Sequence, residues 1–363
     1  MLKHVTIRNF KCFESLDLEL SDLNVLSGIN SMGKSTIIQA ILLLRQSYDK
    51  GAIMKGLILN DEIAQIGTGF DLLYRNSSED VIYIGLVSDE GVFNWSYNYE
   101  KDSDFQKIKN TSLSKEDLTG VNIFMPTFSY VSADRIGPQR YYKKSYHEVF
   151  EKNQVGYRGE LFADYLAERG LVDKVNNPAL IHVSTESALL VYQVEAWLSE
   201  ISPGLHINAK EYTEAGIVGL GYKVSDQEYT PLNVGFGLTY AAPIIISLLK
   251  ANPGDLVIIE NPEAHLHPKG QRKMGELISK ACAGGVQVVV ETHSDHLLNG
   301  IRLGVKNRII DKSNVRLNYF YQEIVDKNIV HKKSSPAVLD DGSLSSWPDG
   351  FFDEWDKAID ALF

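Results

Sequence analysis

Residues Gly28 to Thr36 read Gly-Ile-Asn-Ser-Met-Gly-Lys-Ser-Thr. This spacing suits one task, the grasp of a triphosphate and its divalent cation. Gly28 and Gly33 let the backbone turn sharply and approach the anion closely. The N–H groups across Asn30, Ser31, Met32 and Gly33, and the start of the following helix through Thr36, then face phosphate oxygens. Lys34 reaches the β- and γ-phosphates, and Ser35 places a hydroxyl on Mg²⁺. A glycine-rich turn without ligand is the alternative. The flanks oppose it, because apolar Leu23 to Leu26 precede the loop and a helical pattern, Ile37 to Leu44, follows.

A carboxylate at the end of a second apolar run completes the chemistry. Leu256 to Ile259 lead into Glu260, which can hold Mg²⁺ through water while the metal bridges the phosphates. Any acid at a strand end could imitate this, but a phosphate loop makes the pair meaningful. Asn261 follows, then Glu263. An amide positions water but cannot take a proton as a carboxylate does. The expectation is slow hydrolysis, with Glu260 on Mg²⁺ and Glu263 or Asn261 on the attacking water. No Asn-Lys-x-Asp motif occurs, which favours ATP over GTP. His265, His267, His293 and His296, with Glu263 and Asp295, leave a metallohydrolase open as an outside reading.

Three groups of elements must position these residues. Alternating Val5, Ile7, Leu16, Leu18 and Leu20 predict two strands around Asn9 to Glu14, ahead of the loop strand. Val81 to Val87 and Val92 to Tyr97 flank Ser88 to Gly91 as a hairpin. Residues 101–120 read as an exposed loop, Phe128 to Ser132 as a buried strand, and 145–202 as helical. Ser184 or Thr185 is the expected cap of a helix carrying Leu190, Val194, Trp197 and Ile201. Strands return between Ile207 and Val224. Helix Leu238 to Lys250, strand Leu256 to Ile259, helix Lys269 to Ala281 and strand Val286 to Val290 close the α/β part.

The bulk numbers exclude several classes. The 363 residues are 44% hydrophobic and 23% charged, ordinary for a globular protein. No apolar run approaches the ~20 residues of a membrane span. Early acidic residues and two unspaced cysteines, Cys12 and Cys282, point to a reduced, cytoplasmic protein. The net charge of −11 confines any DNA contact to local patches. Arg135, Arg140, Lys143 and Lys144 form one, and Lys269, Arg272 and Lys273 another; such runs are as a rule solvated faces. Arg135 and Arg140 also suit bracing by salt bridges.

The run LVIIENPEAHLHP, Leu256 to Pro268, resembles the Walker B and D-loop of SMC/RecF/OLD-type ABC ATPases. VTIRNFKCFESLDLEL, Val5 to Leu20, is similar to that family's opening strand pair, which brings Lys11 to the nucleotide. NVGFGLTY, Asn233 to Tyr240, resembles the degenerate signature, with Asn233, Gly235 and Gly237 approaching a γ-phosphate. ETHSDH, Glu291 to His296, resembles the switch strand end, with His293 as its histidine. Gln65 fills the Q-loop place near the metal, or is a solvated loop glutamine. Ser132 to Arg140 and Ser343 to Phe363 resemble a bacterial AAA-family subgroup with a short C-terminal domain of unknown function, often beside effector genes in defence-like clusters.

The resemblance implies an ABC-type α/β P-loop NTPase fold: a central, mostly parallel sheet, an antiparallel β-subdomain and a helical lobe. The expected parts are 1–100 with the phosphate loop and β-subdomain, 101–230 as helical insertion lobe, 231–310 with signature, Walker B, D-loop and switch, and 311–363 as tail. It further implies ATP and Mg²⁺ as cofactors and a homodimer closed head to tail on two ATPs. The dimer would regulate a separate effector, a nuclease or toxin, in DNA maintenance or anti-phage defence; a scaffold with negligible hydrolysis is the alternative. The expectation also includes no membrane partner and no appended nuclease domain after the switch strand.

Overall fold

The computed structural model describes every residue except Ser112, Ser225, Asp226, Asp326, Lys327 and Phe363. Phe363, the end of the tail match, therefore lies outside the described residues. The chain forms two compact units, Met1–Phe128 with Arg316–Pro336 and Ser346–Phe363, and Ser129–Val315 with Ala337–Ser345.

The first unit opens with β1 (Leu2–Phe10), β2 (Phe13–Glu19) and β3 (Leu23–Gly28), then α1 (Lys34–Asp49). It continues through β4 (Gly56–Ile58), a single turn α2 (Gly69–Leu72), β5 (Val81–Ser88), β6 (Gly91–Asn98) and β7 (Phe105–Asn110). Six of these strands form one sheet in the order β2-β1-β5-β6-β7-β4. Its named pairs run antiparallel, and β1 buries Val5, Ile7 and Phe10. β3 and α1 are buried almost throughout. Arg45 of α1 donates to the carbonyls of Ile123 and Met125 at 2.9 and 2.6 Å, fixing the far end of the helix.

The second unit contains β8 (Ser129–Val131), β9 (Tyr141–Lys143), α3 (Phe162–Arg169), α4 (Leu190–Ser199), β10 (Leu205–Tyr212), β11 (Ile217–Val224) and β12 (Gln227–Tyr229). It ends with α5 (Phe236–Leu249), β13 (Leu256–Glu260), α6 (Pro268–Ala283), β14 (Gln287–Glu291) and α7 (Asp295–Lys306). β13 pairs in parallel with both β14 and β8. All three are buried, which explains why they read as apolar runs rather than alternating ones. β9 to β12 make a separate antiparallel sheet centred on β11.

The chain then returns to the first unit with β15 (Val315–Val325), whose register against β16 (Asn328–Ser334) is antiparallel, and with α8 (Glu354–Leu362). β15 neighbours β3. Ordered strands in this stretch were not expected from the sequence.

Three local expectations are corrected. The 101–120 loop contains β7, paired with β6 and β4. Its signal is masked because a polar residue, Gln106, takes the buried place and satisfies its amide on Glu100 and Ser103. The 145–202 stretch is broken helix: a π turn at His147–Glu151, α3, a 3₁₀ turn at Pro178–Leu180, and α4. Left-handed Asn153, Gly156 and Gly159 interrupt it. Helix α4 starts after Leu189 without a side-chain cap. Ser184 instead bonds His182, and the Thr185 hydroxyl accepts from the N–H of Ser187. Leu190, Val194 and Trp197 do share a buried face, but Ile201 lies beyond the helix.

Candidate nucleotide site

The first unit holds the phosphate loop. Buried β3 delivers the chain to an exposed turn, Ile29 to Ser31, and Gly33 caps α1 with φ +97°. An L side chain rarely adopts that conformation. A Cβ there would also lie 2.5 Å from the Phe13 ring and 2.7 Å from Cys12 Sγ. The first turn of α1 carries no acidic residue and no side-chain cap, so its N-terminus suits an anion. Lys34, buried to 4% exposure, donates through Nζ to the carbonyls of Gly28 and Ile29 at 2.8 and 2.9 Å.

A cleft of about 440 Å³ opens beside this loop. Ser31, Gly33, Lys34, Ser35 and Thr36 line it. From the β1–β2 turn comes Lys11, held at φ +54°, with its Nζ 2.8 Å from Gln39 Oε1. Burial lowers the Lys11 pKa, against the attraction of Cys12 and Asp71. Arg75 adds a third cation, and Asp71 is the acid lining the cleft. The donor set and the room fit a nucleoside triphosphate. Asn30 and Met32 belong to the loop but not to the lining, and Gln65 is exposed in a bridge to Asn60 outside it.

The second unit holds the acids. Glu260 ends β13, and its Oε2 accepts from the Ala133 N–H at 3.0 Å. Burial raises its pKa, while Ala133, Tyr130 and Arg135 pull it back. Arg135, 3% exposed, donates to the carbonyls of Ser132 and Glu260 at 2.8 and 2.7 Å and to that of Asn261 at 2.6 Å. Burial lowers its pKa to about 10. Arg135 thus braces this corner, but through backbone oxygens rather than a salt bridge.

Asn261 has φ +45°, its N–H bonds the Glu291 carbonyl, and its carbonyl receives Ala264 N–H. Asparagine tolerates this left-handed region better than glutamate does. Asparagine at 261 therefore suits the backbone conformation of this position. The Asn261 side-chain oxygen is buried without a hydrogen-bond partner among the described residues. Glu263 is bound at both oxygens, by Thr292 Oγ1 at 2.8 Å and by the His293 N–H at 2.7 Å. It ties the D-loop to the switch segment, where His293 is exposed.

The signature segment divides in two. Asn233 closes a 3₁₀ turn, and Gly235, the N-cap of α5, has open space where a side chain would be. Gly237 lies against the D-loop: a Cβ there would stand 2.6 Å from the His265 carbonyl oxygen. His265 packs its ring on Phe236 and Tyr240, and the His267 ring accepts from the Lys269 N–H. Among the described residues no group of three His, Cys, Asp or Glu is arranged to hold a metal.

Residues 23–299 match the family described as "AAA domain, putative AbiEii toxin, Type IV TA system". The chain belongs to this AAA family. Residues 310–362 of this AAA protein match a protein family of unknown function, DUF3696. The chain is 25% identical to OLD nuclease of Thermus scotoductus over 328 residues, 81% of this chain and 59% of the relative. It is 29% identical to Endonuclease GajA of Bacillus cereus over 121 residues, 33% of this chain and 18% of the relative. The AAA protein therefore spans less than two thirds of either curated relative. Among solved structures, an Smc head bound to the C-winged helix domain of ScpA aligns with TM-score 0.53 at 14% identity, over 92% of this chain and 98% of that one. The Smc head domain with an extended coiled coil from Pyrococcus furiosus, bound to the C-terminal domain of ScpA, gives 0.51 at 12% over 99% and 98%. The fold is that of an Smc head domain. Among the described residues no helix is long and apolar enough to cross a membrane.

Among the residues around these sites that sequence reasoning missed are Gln39 and Arg75 in the cleft, and Tyr130 and Ala133 at Glu260. Gln39 had a signal, one helical turn beyond Ser35. The others come from loops or neighbouring strands and have none.

Proposed function

We propose that this AAA protein binds Mg²⁺-ATP, hydrolyses it slowly, and uses it to close a homodimer that controls a separate effector. The observation that carries this reading is the cationic phosphate-loop cleft of Lys11, Lys34 and Arg75 in a chain of net charge −11. Lys34, Ser35 and the loop N–H groups are suited to the triphosphate, and the sequence supplies Glu260 as the candidate acid for Mg²⁺. Bound Mg²⁺ would stabilise charge on the phosphates. The open N-cap at Gly235 is suited to meet the γ-phosphate held by a second copy, with Asn233 beside it. The two curated relatives, a nuclease and an endonuclease by name, support an effector of that kind.

A second reading is a nucleotide-held scaffold that scarcely hydrolyses. Its support is the engagement of both Glu263 oxygens and the amide at Asn261. Single-turnover release of labelled phosphate, with Lys34→Ala as blank, separates the two. Release above the blank within minutes supports the switch. Tight ATP binding with release equal to the blank over hours replaces it with the scaffold.

A further inference from the structure

The sheet of β9 to β12 buries one face and leaves the other largely exposed, with the Tyr212 ring beside Gly219 and the Glu228 carboxylate beside Gly221. Tyr142, Val218, Leu220 and Tyr222 fill the buried side. The two-residue strand period puts Tyr141, Lys210, Tyr212, Gly219 and Gly221 on the outer side. In register, Gly219 lies between Tyr141 on β9 and Lys210 on β10, and Gly221 faces Asn208. Without side chains at the two glycines, the middle of the face is a trough of about 450 Å³. Tyr141 and Tyr212 stand in it 47% and 41% exposed, ring centroids 5.8 Å apart and nearly perpendicular. The Lys210 ammonium lies 5.5 Å from the Tyr212 ring.

The charge of this face opposes that of the chain. Arg140 and Lys210 line the trough, with Lys143 exposed on β9 and Lys223 exposed near the end of the central β11. Lys144, the next residue after Lys143, is locked between Glu168 and Glu211. Arg140, Lys143 and Lys210 form no such ion pair among the described residues, and Lys223 stands opposite Glu228 in the strand register. Glu228 is the acid that lines the trough. A net charge of −11 repels a polyanion from most surfaces, so four exposed cations beside two exposed rings select one kind of ligand.

We propose that this trough binds single-stranded nucleic acid, with bases stacked on Tyr141 and Tyr212 and phosphates on Arg140, Lys143, Lys210 and Lys223. Unpaired bases offer π-faces to aromatic rings, whereas a duplex keeps them stacked inside and presents only phosphate. An acidic peptide would use the cations but leave the tyrosines without a role. The inference does not depend on hydrolysis or dimerisation.

The test is fluorescence anisotropy of labelled oligo-dT and oligo-rU of about 15 nucleotides, with a duplex of equal length, on the whole chain between ~50 and ~200 mM salt. Either single strand should bind more tightly than the duplex, and the tighter of the two names the sugar. Tyr212→Ala and Tyr141→Ala should each weaken binding by about 5- to 150-fold, and Tyr212→Phe should retain it. Lys210→Gln should reduce the slope of log K on log salt by about 0.7. ATP affinity should stay constant in all variants, which also reports that they fold. Equal affinity for duplex and single strands overturns the proposal. So does single-strand binding unchanged by Tyr212→Ala, or an oligo-glutamate competitor that binds more tightly than either strand.

Discussion

The phosphate-loop cleft and the D-loop corner are built on opposite principles. In the first unit, polar groups line open space: Lys11, Lys34 and Arg75 share a 440 Å³ cleft with Asp71. In the second, most polar groups are satisfied by one another, the buried Asn261 side-chain oxygen and Arg135 Nε excepted. Arg135 serves three carbonyls, Glu263 is bound at both oxygens, and Asn261 is fixed through its backbone. One region is arranged to receive a ligand and the other to hold a shape. The contrast teaches that equally motif-like residues can do binding work in one place and positioning work in another.

Exchanging the expected phenotypes of the two regions is the strongest way to break this comparison. Lys34→Ala removes a charge-assisted donor and should weaken ATP binding about 10- to 150-fold, with a smaller loss in thermal midpoint than Arg135→Ala because Ile29, which carries one of its two carbonyl partners, is exposed. Arg135→Ala leaves buried carbonyls without a donor and should cost about 3 kcal/mol, roughly 6–12 °C in midpoint, with ATP affinity nearly unchanged. Titration calorimetry and thermal melts of both variants check this. A large midpoint loss in Lys34→Ala with normal melting of Arg135→Ala would reverse the assignment.

A smaller effect sharpens the account of Glu263. Glu263→Gln presents an amide N–H₂ to at least one of two donors, Thr292 Oγ1 and the His293 N–H. The expected result is a loss of about 1–3 kcal/mol in stability together with slower turnover. Stability loss with unchanged turnover would leave Glu263 a positioning residue alone and remove it from the water.

Legibility in the sequence followed the same division. The phosphate loop, the strand before it and α1 were readable because local spacing dictates them: a glycine at +97° and an apolar run on either side. β13 and Glu260 were readable for the same reason. Residues that act through distant partners were not. Tyr130 and Ala133 reach Glu260 across about 130 positions of chain, and no periodicity reports such a contact. Asn261 looked like a missing base until its φ of +45° gave the amide a backbone role. β7 stayed hidden because Gln106 occupies the buried place of an apolar residue.

The central claim is that Mg²⁺-ATP on the Lys34 loop closes a dimer, and sedimentation velocity of the intact chain tests it most directly. The account predicts a monomer without nucleotide, a dimer with Mg²⁺-ATP, and a Lys34→Ala variant that remains monomeric at the same ATP concentration. A chain that binds Mg²⁺-ATP yet sediments as a monomer, or one that is dimeric to the same extent without nucleotide and in Lys34→Ala, would contradict it.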